Sequence, residues 1–101
     1  MPLQIITFEL DGIDDAAYRA HADQQAPVFA AVPGLRAKIW LADEQRNVYG
    51  GIYTWDDSAA MRAHRAGAIF QQLLADPHLT GVAVSEFSVL AGLTTVTGGQ
   101  F

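Results

Sequence analysis

Pro33-Gly34-Leu35-Arg36-Ala37-Lys38-Ile39-Trp40-Leu41, answered by Tyr49-Gly50-Gly51-Ile52-Tyr53-Thr54-Trp55-Asp56-Asp57, is the stretch from which the fold is read. Pro-Gly opens it as a turn. Two runs rich in Ile, Leu, Trp and Tyr then face one another across the polar loop Asp43-Glu44-Gln45-Arg46-Asn47, the content and loop length of a β-hairpin. Both Trp, two of the three Tyr and the only Lys of the chain lie in it. Aromatic rings on paired strands ordinarily build core, but polar-tipped rings in this number also suit the wall of a ligand pocket.

Upstream of the hairpin, Leu3 to Leu10 is rich in Ile, Phe and Thr and ends at Asp11-Gly12, a strand followed by a turn. Asp14 then caps a helix in which Tyr18, Ala22, Gln25, Phe29 and Val32 recur at three- and four-residue spacing, until Pro33-Gly34 ends it. Pro27 is expected to kink this helix, because proline lacks a backbone donor and crowds the preceding turn. Downstream, Asp56 or Asp57 caps a second helix with Ala59, Ala63, Ala66, Phe70 and Leu73 on one face and Gly67 as a point of bending. Asp76-Pro77 stops it, Val82 to Leu90 forms the fourth strand, and Ala91 to Phe101 is a Thr- and Gly-rich tail. The order is β-α-β-β-α-β, so residues 1–101 read as one ferredoxin-like α+β domain with a four-stranded antiparallel sheet and a tail at 91–101.

With 101 residues, half of them apolar, the chain suffices for one compact core. Its net charge of −5, with no basic cluster, lacks the electrostatic footprint of a nucleic-acid binder. The absence of cysteine excludes disulfides, thiol catalysis and thiolate metal sites. Neither an export signal nor a long apolar run is found, so a cytoplasmic protein with no membrane partner is expected.

Antiparallel strands with one wet face should alternate apolar with polar residues. Leu3, Ile5, Ile6 and Phe8, then Ile39, Trp40 and Leu41, then Ile52, Tyr53 and Trp55 instead place apolar bulk on both sides. A second sheet from a two-fold-related copy would cover the outer face, and a homodimer is therefore expected.

The elements Val32-Pro33-Gly34-Leu35, Lys38-Ile39-Trp40, Gly50-Gly51-Ile52-Tyr53, Trp55-Asp56-Asp57 before Ala59-Ala60-Met61, and Glu86-Phe87-Ser88-Val89 together resemble the YdhR-type monooxygenases of the dimeric α+β barrel superfamily. That resemblance covers almost the whole chain and implies the ferredoxin-like fold, the dimeric barrel and a link to the antibiotic-biosynthesis monooxygenases. The superfamily also holds haem-degrading enzymes, chlorite dismutases, muconolactone isomerases and plain ligand binders, so fold alone selects no reaction.

Several residues are candidates for chemistry, each with a structural alternative. Gly50-Gly51 inside a strand marks either a bulge or the floor of a pocket. Trp40, Tyr53 and Trp55 could stack on a flat substrate and orient it through N–H and O–H donors, or could pack as core and dimer interface. His64 follows Trp55 by nine residues, where haem-degrading relatives place an axial His after a strand Trp. Helical geometry nonetheless puts it at the edge of the buried stripe, the place of an exposed histidine. Those relatives also use an Asn on the first strand, where this chain offers Thr7 or Gln4; its only Asn is Asn47.

His21 falls with Tyr18, Gln25 and Phe29 in the inward stripe of the first helix, as a general base or as a hydrogen-bonded structural residue. Lys38 and Arg36 share a strand side with Trp40 and could offer positive charge to a phenolate or carboxylate, or remain solvated. His78 receives no role. The three His are too scattered for a metal site, and no phosphate loop, Rossmann fingerprint or nucleophile elbow occurs, so neither metal nor cofactor is expected.

The reading that follows is a cofactor-independent monooxygenase acting on a small aromatic or polyketide-like molecule, with His21 or His64 as base and Tyr53, a Trp N–H or Lys38 holding the anion. Tyr18, Trp40, Trp55, Gly50 and Gly51 would shape the pocket. Competing readings are a haem or hydrophobic-ligand binder without turnover, and a purely structural dimeric module.

Overall fold

The structure, a computed structural model, describes residues 1–100; Phe101, the end of the expected tail, lies outside the described residues. Strand β1 (Pro2–Leu10) leads into helix α1 (Asp15–Ala30) and the hairpin β2 (Leu35–Asp43) and β3 (Val48–Trp55). Helices α2 (Ser58–Ala66) and α3 (Ala68–Ala75), strand β4 (Leu79–Ser88) and a short α4 (Ala91–Val96) follow. The strands form one antiparallel sheet ordered β2-β3-β1-β4, the ferredoxin-like α+β arrangement that the sequence pattern predicts.

Local chemistry accounts for the elements. Asp14 Oδ1 accepts the Ala17 N–H at 2.8 Å and starts α1. Asp57 rather than Asp56 caps α2, accepting the Ala60 N–H at 2.8 Å. The inward stripe of α1 is as the periodicity predicts, with Tyr18 and Phe29 buried and Ala22, Gln25 and Val32 half-buried, and the helix runs on through Pro27. Asn47 takes a positive φ of 54° at the hairpin loop, and its side-chain amide both accepts from Leu10 N and donates to Leu10 O, at 3.2 and 2.9 Å. That pair ties the loop to the end of β1.

Three expectations are corrected. The second helix is two helices, because Gly67 takes an extended conformation (ψ 171°) between α2 and α3. With the phase reset there, Met61 and His64 are the buried residues of α2, while Ala59, Ala63 and Ala66 face solvent. Burying a thioether and an imidazole removes more surface from water than burying three methyl groups, so the larger side chains set the rotation. Strand β4 begins at Leu79, ahead of the expected Val82. Beyond it, Ala91–Val96 is helical.

The two faces of the sheet differ. Gln4, Ile6 and Phe8 of β1 and Tyr49, Tyr53 and Trp55 of β3 point under the helices and are buried. They form two clusters, one around Trp55, Tyr53, Phe29 and Phe70, the other around Phe8, Tyr18 and Tyr49. On the opposite face lie Ile5, Ile39, Ile52 and Phe87, with Ile39 58% and Phe87 57% exposed; Phe87 and Leu3 share a shallow hollow with Leu93 and Thr94 of α4. Among the described residues no helix is long and apolar enough to cross a membrane.

Candidate functional site

A cavity of about 190 Å³ lies at the seam between the two core clusters. Phe8 and Tyr18 of one cluster and Phe29 and Tyr53 of the other all reach it, with Lys38, Trp40 and Gly50 along the hairpin side. His21 and Gln25 line it from α1, and Ile69, Gln72, Leu73 and Asp76 line it from α3 and its end. Its volume exceeds the roughly 150 Å³ that suffices for benzene and is below the ~300 Å³ of common ligand pockets, which sets its scale at one or two rings.

Lys38 is the unusual group in this wall. Register pairs it with Tyr53 and pairs Trp40 with Gly51, so Lys38 and Trp40 project under the helices from the same side of β2. The Lys38 Nζ lies 3.4 Å from the Trp40 ring centroid, 3.5 Å from that of Phe29 and 4.8 Å from that of Tyr53. Among the described residues no carboxylate is within ion-pairing distance of it. The ring faces attract an ammonium. Loss of water opposes that charge more strongly, and burial pushes the amine down to about 7.

The two glycines of β3 differ in function. Both strands beside Gly50 and Gly51 keep their register, so the pair makes no bulge. Gly50 lines the cavity and has φ +151°, where a Cβ would fall 1.9 Å from the Ile6 carbonyl oxygen. Gly51 leaves room for the lysine, since a Cβ there would lie 2.8 Å from Lys38 Cε.

His64 departs from its expected exposure: it is 7% exposed, 5.0 Å from the Trp55 ring, 5.5 Å from Tyr53 and 6.1 Å from Phe29, centroid to centroid. Burial first, and then the charge of Lys38, lower its pKa and favour the neutral imidazole. It does not line the cavity, and neither does Trp55, which is 0% exposed with its Nε1 lacking an acceptor. Leaving such a donor unpaired costs about 1–3 kcal/mol. Tyr53, 2% exposed, bridges the two environments, and burial raises the pKa of its hydroxyl.

The structure therefore brings together His21, Tyr18, Lys38, Trp40, Tyr53 and Gly50, and it sets apart His64, Trp55 and Gly51. His21 is placed at the cavity but is exposed, not inside the stripe, because it sits one position from Ala22 on the flank of α1. Arg36 turns away, 3.8 Å from Asp56. Of the two stand-ins for the Asn of haem-degrading relatives, Gln4 is buried under the helices and donates to Glu86 Oε2 at 2.8 Å, while Thr7 lies on the other face. His78, Nδ1 2.8 Å from Asp11 O, joins two loops. Phe29 as a wall of the lysine's surroundings, and Gln72 and Asp76 as lining residues, were not legible as site residues: a helical Phe reads as core, and Asp76 before Pro77 reads as a helix stop. Among the described residues no group of His, Asp and Glu could hold a metal ion.

The four-stranded antiparallel sheet with α1, α2 and α3 against one face is a fold shared with several solved structures. The NE2512 protein of unknown function from Nitrosomonas europaea superposes with a TM-score of 0.74 at 21% identity, covering 88% of either chain. SnoaB, a cofactor-independent oxygenase from Streptomyces nogalater, gives 0.68 at 23% identity, covering 88% of this chain and 92% of that one. The haem-degrader MhuD from Mycobacterium tuberculosis, seen with two haems in its active site, gives 0.67 at 18% identity, covering 89% and 96%. At these identities the likeness is one of fold. A search of curated protein sequences finds no match. The family model described as "Putative mono-oxygenase ydhR" matches residues 3–100, and the chain belongs to that family.

Proposed function

We propose that this protein is an oxygenase that uses no cofactor, acting on a one- or two-ring phenol or a similarly small enolisable aromatic. The observation that carries this reading is the cavity of about 190 Å³ walled by Tyr18, Phe29, Trp40 and Tyr53, with Lys38 among its lining residues and its amine against the Phe29 and Trp40 rings. Flat rings suit an aromatic substrate, and an aromatic wall carrying one cationic group suits its anion. His21 at the cavity, or Lys38 in its neutral form, would remove the phenolic or activated C–H proton. His64, buried away from the cavity, is not supported as that base. The ammonium of Lys38 and the Tyr53 hydroxyl would then hold the anion while it passes an electron to O₂. One oxygen atom ends in the substrate and the other leaves as water, both electron pairs coming from the substrate itself.

Haem fits these residues poorly. The cavity is far smaller than a porphyrin needs, and His64 is enclosed by Phe29, Tyr53, Trp55 and Phe70 without reaching it. No step is therefore assigned to haem.

The same reading includes a homodimer, supported by the apolar outer face around Ile5, Ile39 and Ile52, with Ile39 58% exposed. Light scattering on the eluting protein should give about twice the 10.9 kDa chain mass, and a monomer at micromolar concentration would refute the dimer. For the activity, oxygen uptake should be followed with a panel of phenols, naphthols and anthrone-like quinols, alongside thermal shifts that saturate with ligand. Turnover that falls at least about tenfold in Lys38→Met or His21→Ala supports the reading. Unchanged turnover in the double variant removes the mechanism.

A further inference from the structure

We infer that Lys38 is a nucleophilic amine that condenses with the carbonyl group of a small aldehyde or ketone entering the cavity, forming an imine. This goes beyond the oxygenase reading and does not depend on it. Three geometric facts carry it. The Nζ is held against the faces of Trp40 and Phe29, 3.4 and 3.5 Å from their centroids, with no ion-paired carboxylate among the described residues. The same side chain forms part of the wall of the 190 Å³ cavity, where a ring-bearing carbonyl compound has space and flat surfaces to lie on. Gly51 keeps open the trough in which the lysine stem lies, since any Cβ there would press on Cε at 2.8 Å. A lysine kept only as a surface charge would need neither the rings nor the trough.

Nucleophilic amines must be unprotonated, and desolvation in an apolar wall is one way a lysine becomes so near neutral pH. Burial pushes this amine down to about 7, so roughly half of it is neutral in ordinary buffers. Titratable groups sharing the cavity are Tyr18 and His21 on α1, Tyr53 on β3 and Asp76 after α3; His64 lies behind the Tyr53 ring, 5.5 Å away. In the reaction the amine lone pair attacks the carbonyl carbon, a C–N bond forms, and the carbonyl oxygen takes up a proton. Loss of that oxygen as water then gives the C=N bond. Nothing is oxidised or reduced, and no co-reactant is needed.

Because Lys38 is the only lysine of the sequence, labelling has one side-chain target and the chain's α-amine as internal reference. The 101-residue chain is incubated with benzaldehyde, the imine is reduced with borohydride, and the adduct is mapped by peptide mass spectrometry. Folded protein should label at Lys38 on the order of tenfold or more faster than the same protein unfolded in urea, with a rate that levels off above a midpoint near pH 7. Lys38→Arg should lose the side-chain adduct and keep the α-amine one. Labelling of Lys38 that is no faster folded than unfolded overturns the proposal, as does a midpoint at the ordinary lysine value. The assay reads no oxygen uptake, so its failure leaves the oxygenase reading untouched.

Discussion

The missing side chain of Gly51 and the stem of Lys38 occupy one space: on the neighbouring strand, a Cβ at position 51 would stand 2.8 Å from Lys38 Cε, 3.2 Å from the Ile39 carbonyl oxygen and 3.4 Å from the Tyr53 ring. A lysine stem can move at little cost. Gly51→Ala is therefore expected to fold, with a stability loss of about 1 kcal/mol or less, and to push the amine toward solvent. With a single lysine in the chain, the side-chain resonance of isotopically labelled protein reports the result directly. Its midpoint should rise from about 7 toward the ordinary lysine range. An unshifted midpoint would mean that the trough does not hold the lysine in place.

The adjacent glycine has no such freedom. At Gly50, φ is +151° and an added Cβ would lie 1.9 Å from the Ile6 carbonyl oxygen, a backbone atom of the central strand. Gly50→Ala should cost about 3 kcal/mol or more and compromise soluble expression. Urea unfolding compared with Gly51→Ala checks the contrast, and equal costs at the two positions would contradict it.

Lys38 makes stability depend on pH in a defined window. Its folded value, about 7, is below its unfolded value, so between the two the unfolded chain holds a proton that the folded chain lacks. Its contribution to stability thus rises with pH from about 7 to about 10 and is least favourable below about 7, where a half-buried ammonium has lost part of its water. Lys38→Met should be more stable than the natural chain at about pH 6, and the difference should narrow toward about pH 9. Denaturant midpoints at the two pH values decide, and a constant difference would show that the amine is not desolvated.

His64 should respond to the same substitution. Burial lowers its pKa first and the Lys38 charge lowers it further, so removing that charge in Lys38→Met should raise the His64 midpoint. Its folded value is depressed, so the neutral ring supports the fold at neutral pH, and this support is lost as pH falls through the unfolded value. Proton–carbon NMR of the imidazole gives the midpoint in both proteins. No change would mean that the two groups are electrically independent despite sharing the Tyr53 and Phe29 rings.

Periodicity and punctuation in the sequence determined the βαββαβ order, the hairpin, the Asp14 cap and the inward stripe of α1, because period-2 and period-3.6 patterns and turn residues are local properties. The double apolar character of the strands was equally legible, and it appears as the apolar outer face of Ile5, Ile39 and Ile52. The rotation of α2 was decided only in three dimensions. An alanine face and a Met61–His64 face have similar helical spacing, and the space against Trp55 and Phe29 selected the larger pair once Gly67 had interrupted the helix. The state of Lys38 was decided there as well. A charged residue on a strand reads as solvated, and only the meeting of Phe29 from α1, Trp40 from its own strand and Tyr53 from the next, over the gap left by Gly51, removes its water. Desolvation depends on which distant groups converge, and such convergence has no signature in sequence spacing.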